Sequence, residues 1–188
     1  KDNSLYSSNV SEITDKYQNK FKSNSFKYNL NKKTIRINNA QITDSSKNSF
    51  QIKYAFININ SGQLTGDKIQ INLNNEFLNP DNEPRLVGEK IVYKENITEI
   101  SNGAFTACKK TDKCPPWELS AKKITHNKSK KNINYDNVWL KIYDVPVIYF
   151  PKFFHPDPTV KRQSGFLMPT FNTSSNSSSF FSIPYYEV

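Results

Sequence analysis

The chain has 188 residues with 26 Lys and Arg against 17 Asp and Glu, a formal charge of +9. Its 24 Asn residues and many Lys, Ser and Ile point to compositional bias, so the charge fits a solvated basic surface as well as an anionic partner. No apolar run reaches 18 residues, which excludes a membrane-spanning helix, and Lys1 opens no signal peptide. The single Met is Met168, so the chain reads as an excerpt or a mature product.

Residues 1–25 are polar, with weak periodicity, and read as a leader segment that docks onto the rest of the chain. From Phe26 to Phe150 the text changes to short Ile, Val, Tyr and Phe segments separated by Asn, Asp, Gly and Ser-Lys clusters. Period-two alternation places Ile35 with Ile37, and Phe50 with Ile52, Tyr54 and Phe56. The same alternation joins Ile69, Ile71 and Leu73; Trp117, Leu119 and Ala121; and Val138, Leu140 and Ile142. These are strands with one buried face, and parity shifts such as Tyr135 to Val138 predict bulges or tight bends. The predicted fold class is all-β.

The segments resemble one another. "GDKIQI" at Gly66, "GEKIVY" at Gly88 and "AKKITH" at Ala121 each give a small residue, two polar residues and an Ile. Irregular repeats of this kind predict stacked hairpins that share one apolar interior. Such a stack leaves an open edge, expected at Phe26 to Thr43, to which another chain can add a strand.

Cys108 and Cys114 lie in "ACKKTDKCPPW". Their spacing does not suit zinc, and a disulfide formed in an oxidising compartment is the better reading over free thiols. His126 reads as a strand surface residue, and His155, before "PDP", as part of a turn. No nucleophile elbow, P-loop or dinucleotide fingerprint is present, so no catalytic residue, metal or cofactor is expected. Two readings remain open on composition and pattern: a structural or adhesive β-repeat and a basic nucleic-acid binder. The absence of any nucleic-acid motif argues against the second.

The stretch "VPVIYFPKFFHPDPTVKRQSGFLMPTF" is apolar, aromatic and rich in proline. With it come "NGAFTAC" (Asn102 to Cys108), "PPWELSAKKITH" (Pro115 to His126), "KRQSGFLMP" (Lys161 to Pro169) and "PYY" (Pro184 to Tyr186). This ordered series resembles the OstA (LptD-type) family of outer-membrane lipopolysaccharide-assembly proteins, strongly from Gly88 to Tyr186 and by general pattern before that.

The resemblance implies an OstA-type β-jellyroll, an open V of stacked antiparallel strands, followed by the start of a truncated transmembrane β-barrel. The domains would be a leader at 1–25, a periplasmic jellyroll at 26–151, a linker at 152–162 and the first barrel strands at 163–188. It implies lipopolysaccharide as cargo, with lipid A acyl chains sheltered in the jellyroll. It also implies an LptA-type bridge protein adding a strand, an LptE-type lipoprotein with the full barrel, and an outer-membrane location with the jellyroll in the periplasm.

Candidate lipid-lining residues are Ile69, Ile71, Leu73, Ile91, Tyr93, Phe105, Trp117, Leu119, Ile124, Val138, Leu140 and Ile142. Pro169 and Pro184 match prolines of the family's lateral gate, where a missing N–H weakens strand pairing. Lys152, Lys161 and Arg162 would meet lipid phosphates or flank the membrane. Cys108 matches a family cysteine that pairs with one in the barrel; Cys114 departs from that pattern, which leaves local pairing or pairing elsewhere open.

Overall fold

The computed structural model describes the chain except residues 1–2, 15–17, 75, 77–81, 110–115, 158–159, 161–163, 168–169, 175–176 and 188, and without the side chains at 13, 170–179 and 181. The described residues form strands and turns: β1 (Ser4–Ser7), β2 (Ser11–Thr14), β3 (Lys20–Ser23), β4 (Ser25–Asn29), β5 (Thr34–Thr43), β6 (Ser49–Asn58), β7 (Gln63–Asn72) and β8 (Arg85–Lys94). There follow β9 (Ile97–Thr106), β10 (Trp117–Asn127), β11 (Asn132–Ile142), β12 (Val145–Pro156), β13 (Gly165–Phe166), β14 (Thr170–Ser174), β15 (Ser177–Ser182) and β16 (Tyr185–Tyr186). β1 to β12 make one sheet, with β5 to β12 paired in chain order as successive antiparallel hairpins.

One sheet cannot bury a face by itself; this one does so by bending every strand at the same place. In β7, Leu64 and Gly66 lie inward, Asp67 and Lys68 both face out, and Ile69 and Ile71 are inward again. The same double-outward step falls at Glu89-Lys90, Ser101-Asn102 and Lys122-Lys123. Register skips one residue on each strand there, joining Asn39, Lys53, Lys68, Glu89, Asn102, Lys122, Asn137 and Pro151 into a line across the sheet.

On alternate strands the bulged residue has positive φ: Asn39 (51°), Lys68 (53°), Asn102 (47°) and Asn137 (52°). Asn enters the left-handed region more readily than other side chains, because its short amide bonds to local backbone. The repeat seen in the sequence is therefore the bend itself: small residue inside, two polar residues out, Ile inside. The small residue is required by space. A Cβ at Gly103 would lie 2.8 Å from the Val87 carbonyl oxygen, and one at Gly88 would overlap the Ile100 side chain.

The bend divides the sheet into two facing wings. The first carries residues 40–43, 49–52, 69–72, 85–88, 103–106, 117–121, 138–142 and 145–150; the second carries the remaining halves of β5 to β12. The wings are offset. Phe105, on the first wing of β9, meets Tyr135 of β11 and His155 of β12 on the second, at ring-centroid distances of 6.3 and 4.7 Å. Around these contacts the core is closed, with Leu86, Ile100, Phe105, Ile124, Ile133, Val138 and Leu140 fully buried.

The bend corrects one sequence expectation. Tyr54 and Phe56 do not share a face with Phe50 and Ile52: the step at Lys53 turns them outward, 51% and 37% exposed, and puts Ala55 and Ile57 inside. Nor is residue range 26–43 the open edge. β4 and β3 cover the two halves of β5, and β1 and β2 cover β4 and β3 in turn. Segments 4–14 and 20–29 are thus two further bent strands, and the free edge is β1 with β2.

The far edge, β12, runs on to Pro156, five residues into the expected linker, and carries Pro146, Pro151 and Pro156. Proline cannot donate to a further strand, so it is tolerated on an edge. Beyond it, β13 pairs with β16 and β14 with β15 as two separate ribbons. The first folds back on the end of the large sheet, where Phe166 stacks on Phe153 at 5.2 Å; within the ribbon, Leu167 N–H donates to the Pro184 carbonyl at 2.8 Å.

Candidate functional site

The offset of the wings leaves the N-terminal part of the second wing with little chain above it. An apolar cavity of about 550 Å³ lies there, lined by Phe21, Phe26, Tyr28, Ile35, Ile37 and Ile57 among others. Phe21 and Ile42 separate it from a smaller cavity of about 170 Å³, bounded by Phe50, Ile52, Leu64, Ile91 and Tyr93. Together they form a trough that starts near the free edge and ends where the core closes.

At the rim of the smaller cavity, Lys128 Nζ donates to Asp44 Oδ2 at 2.9 Å. Asn48 donates to the same carboxylate through N (2.9 Å) and Nδ2 (3.0 Å). Burial raises the Asp44 pKa, but the hydrogen bonds from Asn48 and Lys128 and the Lys128 charge outweigh it, so the carboxyl is held below its usual range.

Of the twelve candidate lining residues, Ile91 and Tyr93 border the smaller cavity. Ile69, Ile71, Leu73, Phe105, Trp117, Leu119, Ile124, Val138 and Leu140 are packed into the core, and Ile142 is half-buried at the end of β11. The larger cavity was missed because its residues come from the presumed leader and from strands whose apolar residues are sparse. Phe21, Phe26 and Tyr28 were visible as aromatics among Lys and Asn, but no long alternation flagged them.

The histidines also differ from expectation. Neither is at the surface: His126 is 4% and His155 2% exposed. His126 Nε2 pairs with Asp157 Oδ2, tying β10 to the segment after β12. Among the described residues no group of three His, Cys, Asp or Glu is placed to hold a metal. Cys108 is half-buried, its Sγ 3.8 Å from the Trp117 carbonyl oxygen. Cys114, Pro169, Lys161 and Arg162 lie outside the described residues, so the disulfide and half of the proline pair fall there too. Pro184 sits between β15 and β16. Lys152 is exposed on β12, opposite Asp136.

No known family profile matches the chain. Individual proteins do. LPS-assembly protein LptD of Pseudomonas fluorescens is 32% identical over 136 residues, covering 68% of this chain and 14% of that protein. LPS-assembly protein LptD of Idiomarina loihiensis is 31% identical over 143 residues (69% and 18%), and that of Coxiella burnetii 34% over 91 residues (48% and 10%). The chain therefore spans less than a fifth of the length of these relatives. With the all-β ladder and the ordered motifs from Gly88 to Tyr186, this similarity shows that the chain belongs to the LptD family.

Proposed function

We propose that this chain is the periplasmic jellyroll of an outer-membrane lipopolysaccharide-assembly protein, and that its trough shelters the acyl chains of lipid A on their way to a barrel. The observation that carries the reading is the apolar cavity of about 550 Å³ between the wings, close to the free edge. Each methylene withdrawn from water contributes roughly 0.8 kcal/mol, so such a lining holds an acyl chain without any enzymatic step. A catalytic role has no support in the residues.

The free edge of β1 and β2 suits strand addition by an LptA-type bridge protein, which would extend both wings and lengthen the trough. The proline-bearing β12 does not suit it. Segment 163–188 would supply the first barrel strands, with Pro169 and Pro184 weakening the lateral gate and an LptE-type lipoprotein occupying the complete barrel. Ile91 and Tyr93 would line the path, while the other candidates, from Ile69 to Ile142, would meet lipid only if the wings part.

Photo-crosslinkers in the full-length protein in cells test the reading. Probes at Tyr28 and Ile57 should capture lipopolysaccharide, and a probe at outward-facing Lys53 should not. Equal capture at all three positions would sink it. A probe at Leu140 then reports whether cargo also passes through the closed part.

A further inference from the structure

Two hairpin tips 84 residues apart in the chain meet above the smaller cavity. The tip between β5 and β6 ends the first wing; the tip between β10 and β11 ends the second. The contact is the Lys128–Asp44 ion pair, with Lys128 Nζ also 5.7 Å from the centroid of the Phe50 ring.

The two partners are held very differently. Asp44 receives Asn48 N, Asn48 Nδ2 and Ser46 N from its own tip, at 2.9, 3.0 and 3.0 Å. Its charge stays satisfied if Lys128 leaves, so separating the pair strands no buried carboxylate. Lys128 reaches across on a flexible four-carbon arm, and it is the one cation among the described residues lining this cavity. Below it lie Phe50, Ile52 and Leu64; above it is water, its side chain being 30% exposed. An ammonium between solvent and an apolar cavity is where the anionic head of an acylated molecule comes to rest.

We propose that Lys128 is a phosphate-binding site for a phosphorylated, acylated glycolipid, masked in the empty trough by Asp44. The phosphate takes Lys128 from Asp44, and its repulsion of the fixed carboxylate drives the two tips apart as the acyl chain enters. Lysine suits this role as a compact point charge with three donors. The inference rests on the lipid-trough reading.

The test measures binding of diphosphoryl lipid A and of the same lipid stripped of both phosphates to the full-length protein in detergent. Asp44→Asn, which keeps an oxygen acceptor for the backbone N–H groups of Ser46 and Asn48, should tighten binding of the phosphorylated lipid about tenfold and leave the stripped lipid unchanged. Lys128→Gln should abolish the preference for phosphate, and Lys128→Arg should keep it. A phosphate preference in Lys128→Gln equal to that of the unaltered protein would overturn the site. So would equal binding of the two lipids by the unaltered protein, which leaves the trough intact. Binding of neither lipid by any variant would overturn both readings.

Discussion

Tyr135 and His155 hydrogen-bond inside the closed core, with the phenol oxygen 2.7 Å from Nε2. His155 Nδ1 lies 2.7 Å from the Pro156 carbonyl, which can only accept, so Nδ1 carries the proton and Nε2 accepts from Tyr135. Burial disfavours a charged ring and lowers the His155 pKa to about 4; burial likewise raises that of Tyr135 well above its usual value.

Stability should therefore fall on acidification. A histidine whose folded pKa lies below its unfolded value of about 6.5 contributes fully above that pH, and the contribution is lost as pH drops toward 4. The loss should reach roughly 3 kcal/mol for this group. Urea midpoints measured between pH 7 and pH 4 check it, and His155→Gln should flatten the slope across that window.

At its glycines the bend has no room for an extra carbon on the inner side. Gly103→Ala should cost about 1–3 kcal/mol, because the new methyl meets the Val87 carbonyl oxygen, which belongs to a paired strand. Thermal unfolding of the variant checks it. The control is Gly62→Ala at a hairpin turn, where no atom lies within 4 Å but φ is +65°: its penalty comes from backbone strain alone, about 1 kcal/mol.

Left-handed bulge positions should discriminate by side-chain shape. Asn137→Val places a β-branched residue at φ 52° and should cost about 1–3 kcal/mol, whereas Asn137→Gly should be close to neutral. The Val variant also removes the Asn137 Oδ1 acceptor of the Tyr149 hydroxyl, an exposed bond of small weight. Chemical denaturation of the pair separates the two terms, since Gly removes the same bond.

Core and trough should respond differently to truncation. Leu140→Ala, at a fully buried site, should destabilise by about 2–5 kcal/mol. Ile57→Ala, on a cavity wall that already lacks neighbours on one side, should cost about 1 kcal/mol or less while reducing lipid capture. Equal destabilisation at both positions would count against an open trough.

The closed half was legible because its residues repeat a strong pattern. Trp117, Leu119 and Ala121 keep one face up to the bend, and the parity shift at Tyr135 to Val138 announced the bulge at Asn137. The open half was not. Phe21, Phe26 and Tyr28 sit on strands of four or five residues, too short for alternation to rise above an Asn- and Lys-rich background. Tyr54 and Phe56 misled for the opposite reason: one unmarked step at Lys53 converts a perfect alternation into two faces. The buried histidines were invisible because their partners, Tyr135 and Asp157, are 20 and 31 residues away and come near only through strand pairing within the second wing.

A line of bends shared by every strand has a geometric corollary. Any hairpin inserted into the ladder contributes a piece of both walls at once. Each added strand extends the passage by a fixed increment of about 4.8 Å and leaves its bore unchanged. Length and calibre are thus independent quantities in this architecture, the first set by how many hairpins the gene encodes and the second by the few inward side chains next to each bend.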